Sequence, residues 1–102
     1  MTELPIACKL TESEFRARKD GLLQQMRDLA KEVKAIDSGY ALRFAAEDGL
    51  LLKLAKIMEQ ERKCCPFLKF RLQVECATGT IGLDITGPEG TKKFLHELLR
   101  LT

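Results

Sequence analysis

Apolar and polar residues alternate in four stretches of this chain and recur every three to four residues in three others, which predicts four strands and three helices. Ile6, Cys8 and Leu10 alternate with Ala7 and Lys9 as a short first strand. Thr11 then opens a helix, with Glu14 three residues on completing a capping box. Along that helix Leu22, Met26, Leu29, Val33 and Ile36 follow one another at spacings of four, three, four and three, a single stripe that ends at Asp37-Ser38-Gly39. Tyr40, Leu42 and Phe44 give the second strand. Asp48 is the expected N-cap of a second helix reaching about Lys63, before Pro66 forbids continuation. Leu68, Phe70, Leu72, Val74 and Cys76 alternate with charged and amide residues as the clearest strand. A turn at Thr78-Gly79 leads back through Ile81, Leu83 and Ile85. Gly87-Pro88-Glu89 opens the last helix, whose stripe is Phe94, Leu95, Leu98 and Leu99.

The order is βαβαββα. Each strand has one apolar and one polar face, so the expected architecture is α+β, a mostly antiparallel sheet with helices packed on one face. Strand order does not follow from this pattern. The polar strand faces, such as Lys69, Arg71, Gln73 and Glu75, are expected to meet water.

Length and charge narrow the class. A chain of 102 residues makes one domain, residues 1–102, because a second core would have too little surface to bury. Seventeen basic and fifteen acidic residues are interleaved along the chain, for a net charge of +2, which gives no reason to expect a nucleic-acid or membrane partner. Arg16, Arg18 and Lys19 read as the solvated face of the first helix. The first residues lack the basic and apolar segments of a signal peptide, and no run approaches the roughly 20 apolar residues of a membrane span. The expected location is the cytoplasm. A homodimer is compatible with so small a domain, although no exposed apolar strip marks its interface.

Four cysteines in a short chain raise the question of disulfides. Cys64 and Cys65 are adjacent, and Cα atoms about 3.8 Å apart fall short of the roughly 4.4–6.8 Å spanned by ordinary disulfides. With enough aliphatic residues for a core, reduced thiols in a reducing compartment are expected.

Chemistry concentrates at the end of the second helix. Its stripe runs Leu50, Leu54 and Ile57, then by spacing reaches Glu61 and Cys64, while a neighbouring line through Leu51, Leu54, Ala55 and Met58 reaches Cys65. Glu61 therefore lies one turn before both cysteines, on or beside the core face, where a carboxylate is costly unless paired, hydrogen-bonded or bound to a cation. A helix C-terminus carries partial negative charge, which favours a bound cation over a free thiolate. Arg62 and Lys63 offset that field if they turn toward the sulfurs. Cys8, facing the helices from the first strand, is the candidate third thiol. Such a set suits a soft or borderline ion: zinc, copper, mercury or arsenite.

Plainer readings exist for each residue. Buried cysteine often acts as a small hydrophobe. That reading suits Cys76 at the end of an apolar strand face, stands level with a ligand role at Cys8, and is weaker for Cys64 and Cys65, which packing does not require beside a proline. Glu61 has a structural alternative in an ion pair with Arg62, Lys63 or Arg43. The sole histidine, His96, lies beside the last helix's stripe and is expected to be exposed, so Cys–His catalysis and Cys₂His₂ zinc binding have no support. A lone Cys65-Pro66 is a weak haem signal, and Gly87-Pro88-Glu89-Gly90 lacks the Lys-Ser/Thr of a phosphate loop.

The segments ACKLT, GYALRF, ERKCCPFLKFRL and ITGPEG resemble a family of small bacterial proteins with a Glu-x-x-Cys-Cys-Pro-Phe signature. The same module is similar to the C-terminal segment of some MerR-type regulators, which often sense metals or thiol-reactive compounds. The resemblance covers almost the whole chain but includes no DNA-binding helix-turn-helix. It implies Cys8, Glu61, Cys64 and Cys65 as functional positions and a thiophilic metal or thiol-reactive small ligand as partner. The expected function is binding or sensing of such a metal or metalloid. The competing class is a small thiol-dependent reductase or transferase, with one vicinal cysteine as nucleophile, the other resolving it and Glu61 moving the proton.

Overall fold

A computed structural model describes residues 21–99 and 101. The elements run α1 (Leu22–Leu29), β1 (Glu32–Ile36), β2 (Gly39–Ala45), α2 (Leu50–Cys64), β3 (Lys69–Glu75), β4 (Thr80–Thr86) and α3 (Thr91–Leu98). All four strands join one antiparallel sheet in the order β1-β2-β4-β3. The α+β class is therefore that expected from the pattern. The expected strand around Cys8, the Thr11–Glu14 capping box and the basic residues Arg16, Arg18 and Lys19 lie outside the described residues.

The element order departs from expectation at one place. The helix expected to reach Ile36 ends at Leu29, and Glu32–Ile36 is a strand. Ala30 is already extended (φ −71°, ψ 136°), and the Lys31 amide donates to the Arg43 carbonyl at 2.7 Å. From Glu32 to Ala35 polar and apolar residues alternate, β-branched Val33 suits an extended chain, and Asp37-Ser38 closes a hairpin in which Ile36 faces Gly39. The stripe of Leu22, Met26 and Leu29 ran by coincidence of spacing into a strand. In α1 itself, Leu23 joins Met26 in the core.

Two smaller differences concern helix starts. Gly49 at φ 81°, not Asp48, precedes α2, and α3 begins at Thr91 after Gly90 at φ 98°, three residues beyond Pro88. Neither N-cap makes a side-chain hydrogen bond.

One core lies on one face of the sheet. Tyr40, Leu42 and Phe44 of β2 stand opposite Ile85, Leu83 and Ile81 of β4, respectively. Above them pack Leu23 and Met26 of α1, Leu50, Leu54 and Ile57 of α2, and Leu95 and Leu98 of α3 with Leu99 just beyond. Each fully buried Leu or Ile contributes about 1.5–3 kcal/mol relative to its exposed state. β3 lies at the margin, with Phe70 and Leu72 half-buried and Val74 43% exposed. The opposite face carries a shallow trough of about 260 Å³ over Ala41 and Gly82, rimmed by charged and amide side chains. Its Arg43–Glu32 pair, 3.7 Å apart and well exposed, adds little stability.

Chain direction decides where the site falls. β2 and β3 both leave the sheet end at which Gly39, Thr86 and Lys69 pair, and β4 returns to it. The C-terminus of α2 and the N-terminus of α3 therefore meet at that one end.

Backbone contact is tightest there. A Cβ on Gly39 would stand 1.8 Å from the Ile85 carbonyl oxygen, deep inside van der Waals contact. Gly39→Ala is expected to cost about 3 kcal/mol or more by urea denaturation, since the overlap is with paired backbone on a central strand. A loss below about 1 kcal/mol would contradict the tight β2–β4 approach at this point.

Candidate functional site

The site is built by the way α2 ends. Leu50, Leu54, Ile57 and Glu61 are its buried residues, as their spacing implied, and Glu61 is only 2% exposed. The second apolar line is mixed: Leu54 and Cys65 are buried and Met58 is half-buried, while Leu51 at 39% and Ala55 are exposed. Cys64 is the last helical residue and half-buried. Cys65 leaves the helix at φ −124° and ψ 72°, while its amide still donates to the Glu61 carbonyl at 2.7 Å. Pro66 causes this break, because the residue before proline is driven out of the helical region. The turn tightens as the Leu68 amide donates to the Cys65 carbonyl at 3.0 Å, and β3 follows at Lys69.

Phe67 anchors this turn to α3. Its ring is buried and meets Phe94 edge to face, with centroids 5.1 Å apart and planes at 76°. The segment entering α3 lies against the same turn. A Cβ on Gly87 would fall 3.0 Å from the Phe67 carbonyl oxygen and 2.5 Å from Thr91 Oγ1. Thr91 is fully buried, and its hydroxyl has no hydrogen-bond partner. The spacing signal had marked Phe94; nothing in the pattern had marked Thr91.

The sulfurs differ from one another in state. Cys65 is fully buried and disulfide-bonded, whereas Cys64 and Cys76 are free thiols. The expectation that every cysteine is reduced is thus corrected at Cys65, which turns inward where the helix stops. Cys8 lies outside the described residues. Cys76 is also corrected: it is exposed, just beyond β3 in the turn to β4, because the strand stops at Glu75.

The surrounding charges are arranged as follows. Arg62 pairs with Glu59 one turn earlier on the exposed side of α2, and Arg43 pairs with Glu32. Lys63 is exposed. His96, expected to be exposed, is half-buried, and its Nδ1 shares a hydrogen bond of 3.2 Å with the Tyr40 hydroxyl. This contact joins α3 to β2, and no spacing rule indicates it.

The structure thus brings Glu61, Cys64 and Cys65 to one helix end. Among the described residues, no group of three or more His, Cys, Asp or Glu is placed to hold a metal ion, so these three alone are not a ligand set. Also among the described residues, no helix is long and apolar enough to cross a membrane. No family model, curated protein or solved structure matches the chain.

The Phe67 anchor has a measurable value. Phe67→Ala is expected to lower stability by about 3–5 kcal/mol in urea melts, through the lost ring and the cavity left against Phe94. A change under about 1 kcal/mol would mean that the Cys65–Leu68 turn is held by its backbone alone.

Proposed function

We propose that this protein, in its reduced form, binds a thiophilic metal or metalloid ion at the end of α2. Cys65 and Cys8 act as sulfur ligands, Cys64 as the outer thiol, and Glu61 as ligand or proton acceptor. The observation that carries this reading is a fully buried cysteine, joined to another sulfur, one turn beyond a buried carboxylate. Sulfur beside carboxylate is the donor chemistry that soft and borderline ions take. The ion is the cargo. Zinc, copper(I), mercury(II) and arsenite all match the donor chemistry, and the resemblance to modules of metal-sensing regulators agrees with it. Cytoplasmic location and a homodimer are parts of the same proposal.

Fields at the site come from two helices. The partial negative end of α2 favours a cation, while the start of α3 adds partial positive charge nearby. Binding exchanges thiol protons for the ion. Glu61 offers a nearby carboxylate for one of those protons, in a place where an isolated charge is otherwise costly.

A second reading is favoured by the disulfide itself: thiol–disulfide exchange, with Cys64 as the accessible nucleophile and Cys65 as the resolving sulfur.

Protein reduced anaerobically is expected to bind mercury(II), copper(I), zinc or arsenite with a stoichiometry near one in equilibrium dialysis, and oxidised protein to bind far less. Cys65→Ser should lose at least about tenfold in affinity, a change of about 1.4 kcal/mol. Thiols release protons on binding, so affinity should rise with pH. If none of the four binds reduced protein better than the Cys64→Ser/Cys65→Ser double variant, the metal reading fails and the exchange reading stands alone.

A further inference from the structure

We propose that a second copy of this chain docks on the outer edge of β3, the two β3 strands pairing antiparallel about Leu72 so that the two sheets become one. This gives the homodimer an interface, and it is independent of metal binding.

Three observations converge on it. β3 stands last in the sheet order β1-β2-β4-β3, and among the described residues it pairs with β4 alone. Its core-side residues are poorly covered: Phe70 and Leu72 are half-buried and Val74 is 43% exposed, whereas Ile81, Leu83 and Ile85 beside them on β4 are buried. The strand's sequence, Lys-Phe-Arg-Leu-Gln-Val-Glu, also complements itself when reversed.

The ladder shows which backbone groups face outward. The Ala46 amide donates to the Gly79 carbonyl at 2.8 Å, which marks Ala45 and Thr80 as a pair that exchanges no bonds of its own. Residues along a strand turn their N–H and C=O groups to opposite sides in alternation, so Thr80 turns its groups to Glu75 of β3. The same alternation directs Gln73, Arg71 and Lys69 toward β4. Phe70, Leu72 and Val74 therefore present their N–H and C=O groups to the outer edge.

Around a two-fold axis at Leu72 each of these groups meets a partner. Leu72 exchanges both bonds with Leu72 of the second copy, and Phe70 does the same with Val74 of the second copy. On the core side these pairs set leucine against leucine and phenylalanine against valine, which covers the exposed Val74. On the polar side Lys69 stands opposite Glu75 and Arg71 opposite Gln73, so an ion pair closes each end of the ribbon. The other sheet edge lacks this property, since β1 turned on itself sets Lys34 against Lys34. An open edge invites uncontrolled pairing, and a self-complementary strand confines it to one register with one partner.

Reduced, metal-free protein is the sample for sedimentation equilibrium, with urea melts to establish that each variant folds. Wild type should form a dimer, and the amides of Phe70, Leu72 and Val74 should exchange with deuterium more slowly as concentration rises. Lys69→Glu and Glu75→Lys, both at exposed positions, should each weaken self-association at least about tenfold by setting like charges opposite one another. Mixed one to one, the two variants should associate as tightly as wild type, because every opposed pair is again of unlike charge. The proposal is overturned if wild type stays monomeric at about 1 mM, if neither charge change weakens the dimer, or if the mixture does not recover it. It is also overturned if those three amides are already protected in a monomer, since the edge is then taken within the chain. Metal binding is scored separately, so either idea can fail alone.

Discussion

Pairing of β2 with β4 is the constraint on which the rest of the molecule depends. These two central strands bring Tyr40, Leu42 and Phe44 into line with Ile85, Leu83 and Ile81, and every helix packs against that surface. A slip of one residue in either strand would turn its three core side chains to the opposite face. Gly39 fixes the register sterically, since only a residue without a side chain fits against the Ile85 carbonyl. Because β2 and β4 run in opposite directions, their pairing also decides that α2 ends where α3 begins.

That meeting of helix ends gives the sulfur site its surroundings. Pro66 stops α2, Cys65 turns in, and Phe67 is seated against Phe94 of the next helix. The buried carboxylate of Glu61 belongs to the same turn of structure. Burying such a group at the end of an otherwise aliphatic stripe costs stability unless its surroundings compensate. Cys64, one residue from a fully buried neighbour, remains in reach of solvent. The two adjacent cysteines differ in both state and place: Cys64 is a free, half-buried thiol, and Cys65 is fully buried and disulfide-bonded.

Periodicity alone conveyed the α+β class, the core faces of β2 and β4, and the stripe of α2 through Glu61. Those features rest on side chains whose burial follows directly from spacing. It failed at Val33 and Ile36, where four-three spacing continued smoothly from a helix into a strand and only the hairpin partner decided between them. It failed at Cys76, which ends an alternating run but lies past the last strand residue. The Tyr40–His96 contact, fifty-six residues apart in sequence, depends on tertiary packing and leaves no local trace. The disulfide of Cys65 was illegible for a related reason: adjacency excluded a bond between neighbours, but no local rule shows which distant sulfur a buried cysteine meets.

The two ends of the sheet differ in how much alteration they tolerate. At one end Gly39 and Gly87 both lie where a single added methyl group collides with backbone or a buried hydroxyl. At the other, the turn from Cys76 to Gly79 is wholly exposed. Insertions, fusions and conjugates belong at such exposed turns. Cys76 itself is a ready attachment point there, at the pole of the molecule remote from the vicinal pair, so a dye, a spin label or a tethered second domain can be carried without crowding the sulfurs.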